Sequence, residues 1–368
     1  MHMADALLSP AVGMAMNVIS ITAIGVSAAK IKRNELSEKK IPIMGVAGAL
    51  VFAGQMITFA IPATGSSGHI GGGILLAGLL GGIPAFLAMA AVLIVQCLFF
   101  ADGGLLALGC NIFNLGVIPC LVVYPLIFKP LLQKSIGSRR LSIASIASVM
   151  IALGLGAFFV VLQTVASGIT ELPFGTFSAL MLPIHLVIGL VEGIVTAAIL
   201  CFVHKMRPEI MDSLQPGQPS KRLSGVSTKK VLAILAALTL LTGGFLSLFA
   251  SANPDGLEWA IGKTTEKVFG AETELGASED GIFEIAANVQ KSTALLPDYT
   301  LPSDPDNPAG TSVSGIIGAM ITCALAGAAG LIIFMVKFKK SRALKDSGSK
   351  NKEDQAQEAQ TKEVQAHV

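Results

Sequence analysis

The chain begins with Met1 and His2, and these two residues carry three nitrogen atoms that could bind one metal ion. The α-amine of Met1, the backbone amide nitrogen of His2 and the His2 imidazole can close two fused chelate rings. A planar, all-nitrogen set of this kind suits Ni(II) or Cu(II). Because a Met-His start also occurs by chance, the hypothesis needs donors from elsewhere in the chain.

His69 is a second candidate ligand, and it stands in the glycine-rich stretch TGSSGHIGGG. Glycine permits backbone conformations closed to other residues and lets other groups approach closely. Neutral imidazole is the commonest metal ligand in proteins. The alternative is a flexible turn whose histidine contacts only water.

His185 and Glu192 are seven residues apart in an apolar stretch, so they share one face of a helix. A carboxylate within a membrane span costs ~2.5–3.5 kcal/mol on insertion scales and is a functional candidate by default. The alternative is a hydrogen-bonding pair between helices. Gly189 and Gly193 flank Glu192 and predict close helix packing there.

Three further polar residues are candidates for supporting the metal ligands. Asn111 and Asn114 lie three residues apart in one apolar segment, and buried amides need hydrogen-bond partners. We expect them to orient a histidine ring or the N-terminal strand, and Asp102 to hold the N-terminal amine. The alternative for all three is polar contacts that merely join helices.

The composition predicts an all-α polytopic membrane protein. The 368 residues are 52% hydrophobic and only 14% charged, whereas soluble domains carry roughly a quarter charged residues. Many apolar runs approach the ~20 residues that cross a bilayer. The net charge of +2, with no basic stripe, argues against nucleic acid as a partner.

Apolar runs and polar breaks together predict nine spans. They are 8–29, 42–61, 70–82, 84–100, 106–128, 142–166, 179–203, 231–250 and 314–336. The third is short and glycine-rich, so we expect it to dip into the protein, where non-helical backbone can line a cavity.

Lysine and arginine cluster after the first, fifth, seventh and ninth spans. Since basic loops stay in the cytoplasm, this pattern puts the N-terminus outside and the C-terminus inside. His2, His69 and His185 then lie at the extracytoplasmic side, whereas His204 and His367 are cytoplasmic. Three histidines at one face indicate a site.

The chain shows no nucleotide-binding motif. The stretch Gly262-Lys263-Thr264 resembles the end of a P-loop, but Gly256 precedes it with the wrong spacing. Any use of ATP must therefore come from a partner.

Four separated stretches resemble one known family: MHMADALLSP, ATGSSGHIGGG, QCLFFADGGLLALGCNIFNLG and HLVIGLVEGIVT. In order, spacing and span position they are similar to the substrate-binding M component of energy-coupling-factor (ECF) nickel and cobalt transporters, over roughly residues 1–205. The stretches NPDGLEWAIGK and LLPDYTLP resemble the small N component, fused onto the same chain.

The resemblance implies a metal site formed by the Met1 amine, the His2 amide and imidazole, and His69. It implies support for that site from His185 and Glu192, and no resident cofactor, because Ni(II) or Co(II) is the cargo. It also implies a transmembrane coupling subunit and two cytoplasmic ATPases as partners, in a prokaryotic plasma membrane. The N-type part would assist metal loading through its external loop.

The predicted architecture is a bundle of about seven helices followed by a two-helix C-terminal unit. The expected divisions are the M-type domain 1–205, a cytoplasmic linker 206–228, the N-type domain 229–340 with the extracytoplasmic loop 251–313, and a disordered tail 341–368.

Two other functions remain open from the residues alone. A proton-coupled secondary transporter would use His185 and Glu192 to relay protons and would need no ATPase. An intramembrane metal-dependent hydrolase would use the histidines and Glu192 on a lipid or peptide. The function we expect is substrate capture for an ATP-driven Ni(II)/Co(II) importer, and not an enzyme.

Overall fold

The computed structural model describes residues 2–32, 35–133, 135–214, 226–270, 281–304 and 307–339. Met1, the stretch 215–225 of the predicted linker and the predicted tail 341–368 lie outside these described residues. The elements in chain order are α1 Pro10–Lys30, α2 Lys40–Gln55, β1 Thr58–Ile61, β2 Ser66–His69, α3 Gly73–Leu80, α4 Gly82–Phe100, α5 Leu108–Leu132, α6 Ser138–Ser167, α7 Phe174–Met206, α8 Thr228–Phe249, α9 Gly256–Phe269, α10 Ile282–Thr293 and α11 Ala309–Lys337.

Seven of these helices are long and apolar enough to cross a membrane, namely α1, α4, α5, α6, α7, α8 and α11. Their outer faces expose large apolar side chains such as Ile21 and Ile194, which suits a lipid environment. The all-α polytopic membrane fold predicted from composition is confirmed.

The second and third predicted spans differ from the expected helices. In the second, α2 ends at Gln55, and the chain then forms the antiparallel pair β1–β2, in which Thr58 pairs with His69. In the third, only the eight residues of α3 are helical, which is a length of about 12 Å. The glycine-rich stretch 70–72 before α3 is non-helical, because Gly72 takes a left-handed conformation with φ +81°.

The segment that contains α3 nevertheless connects the two ends of the molecule. His69 precedes it, and at its far end the Lys40 ammonium donates to the Leu80 carbonyl at 3.3 Å. Leu80 lines a cavity of about 780 Å³ that also has three carboxylates and five basic side chains: Lys32, Lys39, Lys40, Lys129 and Arg207. Many of the basic residues that set the predicted orientation therefore share one end.

Glycines allow the long helices to pack closely. A Cβ added at Gly189 would lie 2.9 Å from Met150 Cα, and one at Gly193 would lie 2.7 Å from Ile146 Cα. The close packing predicted beside Glu192 is therefore confirmed as contact between α6 and α7.

The region between α8 and α11 folds over the end of the bundle that carries His69. The Trp259 indole on α9 donates to the Thr64 carbonyl in the β1–β2 turn at 2.9 Å. Gln290 on α10 donates to the Gly103 carbonyl at 2.8 Å. The predicted external loop is thus a helical cap that contacts both the hairpin and the turn after α4.

Candidate metal centre

Asn111 holds the N-terminal segment in place on α5. Its side-chain oxygen accepts the Met3 amide at 2.8 Å, and its amide nitrogen donates to the Met3 carbonyl at 3.2 Å. The same carbonyl accepts the Gly104 amide at 3.0 Å. Because Met3 follows His2 directly, these bonds determine where the His2 ring can lie. Asn114 pairs mainly with Gln163, at 2.8 Å, and approaches the Met3 sulfur at 3.8 Å.

The His2 imidazole lies against Asp102, just beyond the end of α4. Its Nδ1 is 2.9 Å from Asp102 Oδ1, and its side chain is only 9% exposed. The other ring nitrogen, Nε2, is buried without a hydrogen-bond partner. We expected Asp102 to hold the Met1 amine; the structure places it on the imidazole instead, and Met1 lies outside the described residues.

Asp102 also receives a contact from the C-terminal region. The Tyr299 hydroxyl donates to Asp102 Oδ2, and the Tyr299 ring stacks on Phe100 with 5.1 Å between centroids. Burial by itself would raise the pKa of Asp102, but the charge of His2 and hydrogen bonds from His2 and Tyr299 lower it to about 2. This carboxylate is therefore charged at neutral pH.

His69, at the end of β2, stacks on His2. The two ring centroids are 5.1 Å apart and the planes meet at 26°. His69 Nε2 is 3.8 Å from Asp255 Oδ2, at the N-terminus of α9. Burial lowers the pKa of His69 to about 3, so the ring is neutral at neutral pH, which is the form that binds metals.

Glu192 on α7 fixes the backbone that follows His69. Its two oxygens accept the amides of Gly71 at 2.7 Å and Gly72 at 2.8 Å, and Gln55 donates to the Gly71 carbonyl at 2.8 Å. Glu192 is 2% exposed. It contacts the backbone of the His69 segment rather than the ring.

His185, on α7, lies beside the segment that carries His69. Its Nδ1 donates to the Met181 carbonyl of its own helix at 2.8 Å, and its Nε2 is buried without a hydrogen-bond partner. It shares the lining of a small cavity with His69 and Gly256. The predicted supporting residues therefore converge, with Glu192 and Asn111 in direct contact with the ligand-bearing segments.

The sequence reasoning missed Asp255 and Tyr299 as members of this site. Both come from the C-terminal region and reach His69 and Asp102 respectively. The available signal was their place in NPDGLEW and LLPDYTLP, the two stretches that carry the resemblance to the N component.

Side chains alone do not make this a metal site. Among the described residues, no group of three or more His, Cys, Asp or Glu side chains is arranged to hold a metal ion. Donors would have to include backbone nitrogens. The His2 amide nitrogen and its own Nδ1 can close a six-membered ring through Cα, Cβ and Cγ, whereas Nε2 points away from that amide. A metal chelated in this way would replace the hydrogen bond from Nδ1 to Asp102.

Comparison with known proteins supports this architecture. The family described as "cobalt uptake substrate-specific transmembrane region" matches residues 2–210, and the PDGLE domain matches residues 229–335. A putative fused nickel transport protein NikMN of Archaeoglobus fulgidus is 33% identical over 330 residues, covering 88% of this chain and 96% of the relative. The fused nickel transport protein NikMN of Rhodobacter capsulatus is 29% identical over 356 residues, with 90% and 98% covered. A cobalt transport protein CbiM of Sorangium cellulosum is 27% identical over 219 residues, with 58% and 96% covered.

The family match covers more than half of the chain, and the fused relatives align over nearly their whole length. The chain therefore belongs to the cobalt uptake substrate-specific transmembrane family, with a PDGLE domain on the same polypeptide, and it is a multi-pass membrane component of nickel and cobalt transport of the fused M–N type.

Proposed function

We propose that this chain captures Ni(II) or Co(II) at the extracytoplasmic side of a prokaryotic plasma membrane and passes the ion to an ATP-driven importer. The observation that carries the proposal is the stacking of His2 on His69, 5.1 Å between centroids. The ligands would be the Met1 amine, the amide nitrogen and Nδ1 of His2, and His69.

The donor set accounts for the choice of metal. Four nitrogens near one plane favour Ni(II), and Co(II) can adapt to them, whereas Zn(II) prefers a tetrahedron. The metal is the cargo, so the chain needs no resident cofactor. Protons compete for the amine, the amide and the imidazole, so capture weakens as the pH falls.

The orientation follows from charge. Helix α4 starts at Gly82, one of the residues that line the cavity containing five basic side chains. It ends beside Asp102, at the end of the molecule that carries His2 and His69. With the basic end in the cytoplasm, the stacked histidines face outward. A transmembrane coupling subunit and two cytoplasmic ATPases would supply the energy, since the sequence carries no nucleotide-binding motif.

His2→Gln tests the chelate directly. The substitution removes the imidazole donor and keeps a polar side chain, so Ni(II) binding to the purified chain, measured by titration calorimetry, should be lost. His69→Ala should lose most binding as well. His204→Ala removes a histidine from the last turn of α7, away from the proposed site, and this variant should bind Ni(II) as the wild type does. A His2→Gln variant with wild-type affinity refutes the N-terminal site.

Uptake into liposomes tests the energy source. We expect no accumulation of Ni(II) by the chain alone, and accumulation that depends on ATP when the three partner subunits are present. Accumulation by the chain alone under a proton gradient would support the secondary transporter instead.

A further inference from the structure

The cavity of about 780 Å³ at the basic end of the bundle lies at the opposite end of α4 from the proposed metal site. Its lining comes from the loop after α1, the start of α2, the turn between α3 and α4, and the ends of α5 and α7. Five basic side chains line it against three carboxylates, Glu35, Glu209 and Asp212, so the lining carries a net charge of +2. We refer to it as the basic cavity.

Two of the three carboxylates are already bonded within the protein. Glu209 pairs with Arg207 at 3.0 Å, and Glu35 accepts the Lys32 backbone amide at 2.8 Å. Among the described residues, Arg207 is the one basic side chain of the basic cavity that ion-pairs with a carboxylate. The four lysines of the lining are therefore not neutralised by direct ion pairs, and the cavity suits an anion.

Helix α4 begins inside the basic cavity, at the turn formed by Gly81 and Gly82. The first amides of a helix have no acceptor within it, and they form the positive end of the helix dipole. The residue before α4 is Gly81, which has no side chain that could cap these amides. A Cβ added at Gly82 would lie 2.6 Å from the Cys120 carbonyl oxygen and 3.2 Å from the Tyr124 ring, so the turn packs directly against α5.

Two buried hydroxyls of the lining flank this turn. Tyr124 is only 4% exposed and packs against Gly82. Ser213 packs against Gly81, where an added Cβ would lie 3.2 Å from Ser213 Cβ. The two hydroxyls are close enough to interact, but neither oxygen completes a hydrogen bond with a described residue. A buried polar atom without a partner is costly and needs an explanation, and an anionic ligand at the turn would supply the missing acceptor.

We propose that the basic cavity binds the phosphate group of an anionic phospholipid, with the first amides of α4, the Tyr124 hydroxyl and the Lys40 ammonium as donors. Helix N-termini are ready-made sites for phosphate groups, and basic pockets between membrane-spanning helices bind anionic headgroups. The Lys40 ammonium donates to the carbonyl of Leu80, the residue before Gly81, at 3.3 Å, so its charge lies at the same turn.

The membrane makes a phospholipid a better source of this phosphate than the free anion. Lipid surrounds a multi-pass chain on every side, and a phosphodiester offers only acceptors, which matches the donors at the turn. The inference requires the membrane fold and the basic cavity, and it is independent of the metal ligands.

Native mass spectrometry of the full-length chain, titrated in detergent with phosphatidylglycerol, tests the site. We expect one phosphatidylglycerol to bind more tightly than any other, and phosphatidylcholine, whose headgroup has no net charge, to bind about tenfold more weakly. Tyr124→Phe and Lys40→Gln each remove one donor. Because hydrogen bonds to charged groups are the strong ones, each variant should raise the dissociation constant of that lipid about tenfold.

Two controls make the test specific. Lys205→Gln removes an equal charge from the last turn of α7, outside the cavity lining, and should bind the lipid as the wild type does. Tyr124→Phe keeps the ring, so its thermal midpoint without lipid should match that of the wild type. A lower midpoint with unchanged lipid affinity would show that the hydroxyl serves only the fold, and would overturn its role as a donor.

Two further outcomes would overturn the proposal. Inorganic phosphate at millimolar concentration should leave the lipid bound; displacement of the lipid would assign the basic cavity to the free anion instead. Unchanged binding of phosphatidylglycerol in both Tyr124→Phe and Lys40→Gln would refute the phosphate site altogether. Failure of the chain to bind Ni(II), by contrast, would refute the proposed function and leave the lipid site standing.

Discussion

Replacing Glu192 with glutamine should weaken metal binding, although Glu192 contacts the backbone that follows His69 and not the His69 ring. Each of its oxygens accepts one backbone amide, from Gly71 at 2.7 Å and from Gly72 at 2.8 Å. Glutamine has the same shape but only one acceptor oxygen. One of the two buried amides would therefore face an amide group that can only donate.

The size of the effect follows from that one lost acceptor. An unsatisfied buried amide costs about 1–3 kcal/mol. If the segment 70–72 shifts so that the unpaired amide finds a partner, His69 moves with it, and the free energy of metal binding becomes less favourable by a similar amount. Since every 1.4 kcal/mol corresponds to tenfold, the Ni(II) dissociation constant should rise about 5- to 150-fold.

Titration calorimetry of purified Glu192→Gln against Ni(II) measures this change. Glu171→Gln, in the loop before α7, makes the same chemical substitution at an exposed position and should bind as the wild type does. An affinity of Glu192→Gln within twofold of that control would show that the carboxylate does not position His69.

Three other perturbations have definite expected results. Asn111→Ala removes both side-chain bonds to Met3 and leaves a buried amide unpaired, so Ni(II) affinity in the same titration should fall by a factor that matches about 1–3 kcal/mol. Gly109→Ala would put a Cβ 2.3 Å from the backbone of α1 and should destabilise the chain by about 1–3 kcal/mol in denaturant unfolding, whereas Gly25→Ala, with nothing within 4 Å, should not. Burial lowers the pKa of His69 from 6.5 to about 3, so on acidification the unfolded chain binds a proton at this residue before the folded chain does. The thermal midpoint of the metal-free chain should therefore fall as the pH drops from about 6.5 toward 3. His69→Gln should remove that part of the fall.

Hydropathy, charge and a few motifs were enough to predict the class of molecule and the residues worth testing. Span positions can be predicted because each membrane-spanning helix must be apolar and must pair its backbone polar groups within its own segment. Helices α1, α4 and α7 lie close to the positions that the apolar runs predict. The candidate ligands His2 and His69 were also identified from local sequence, because His2 follows the N-terminal residue and His69 stands in a glycine-rich stretch. The second span was only half right, because hydropathy cannot separate a helix from the short strand that begins at Thr58.

Only the tertiary structure decided which polar groups meet. His2 stacks on His69, and Asp102 contacts the His2 imidazole and Tyr299. These pairs join segments far apart in the chain, and nothing in the local sequence of either partner encodes the distance between them. The same holds for the C-terminal cap, which reads as an acidic loop in sequence and folds over the histidines in space. The sequence by itself determined the membrane spans, because the free energy of placing a segment in a membrane depends on each residue of that segment. The tertiary structure decided the contacts between polar groups, because a hydrogen bond forms only when packing brings both partners together.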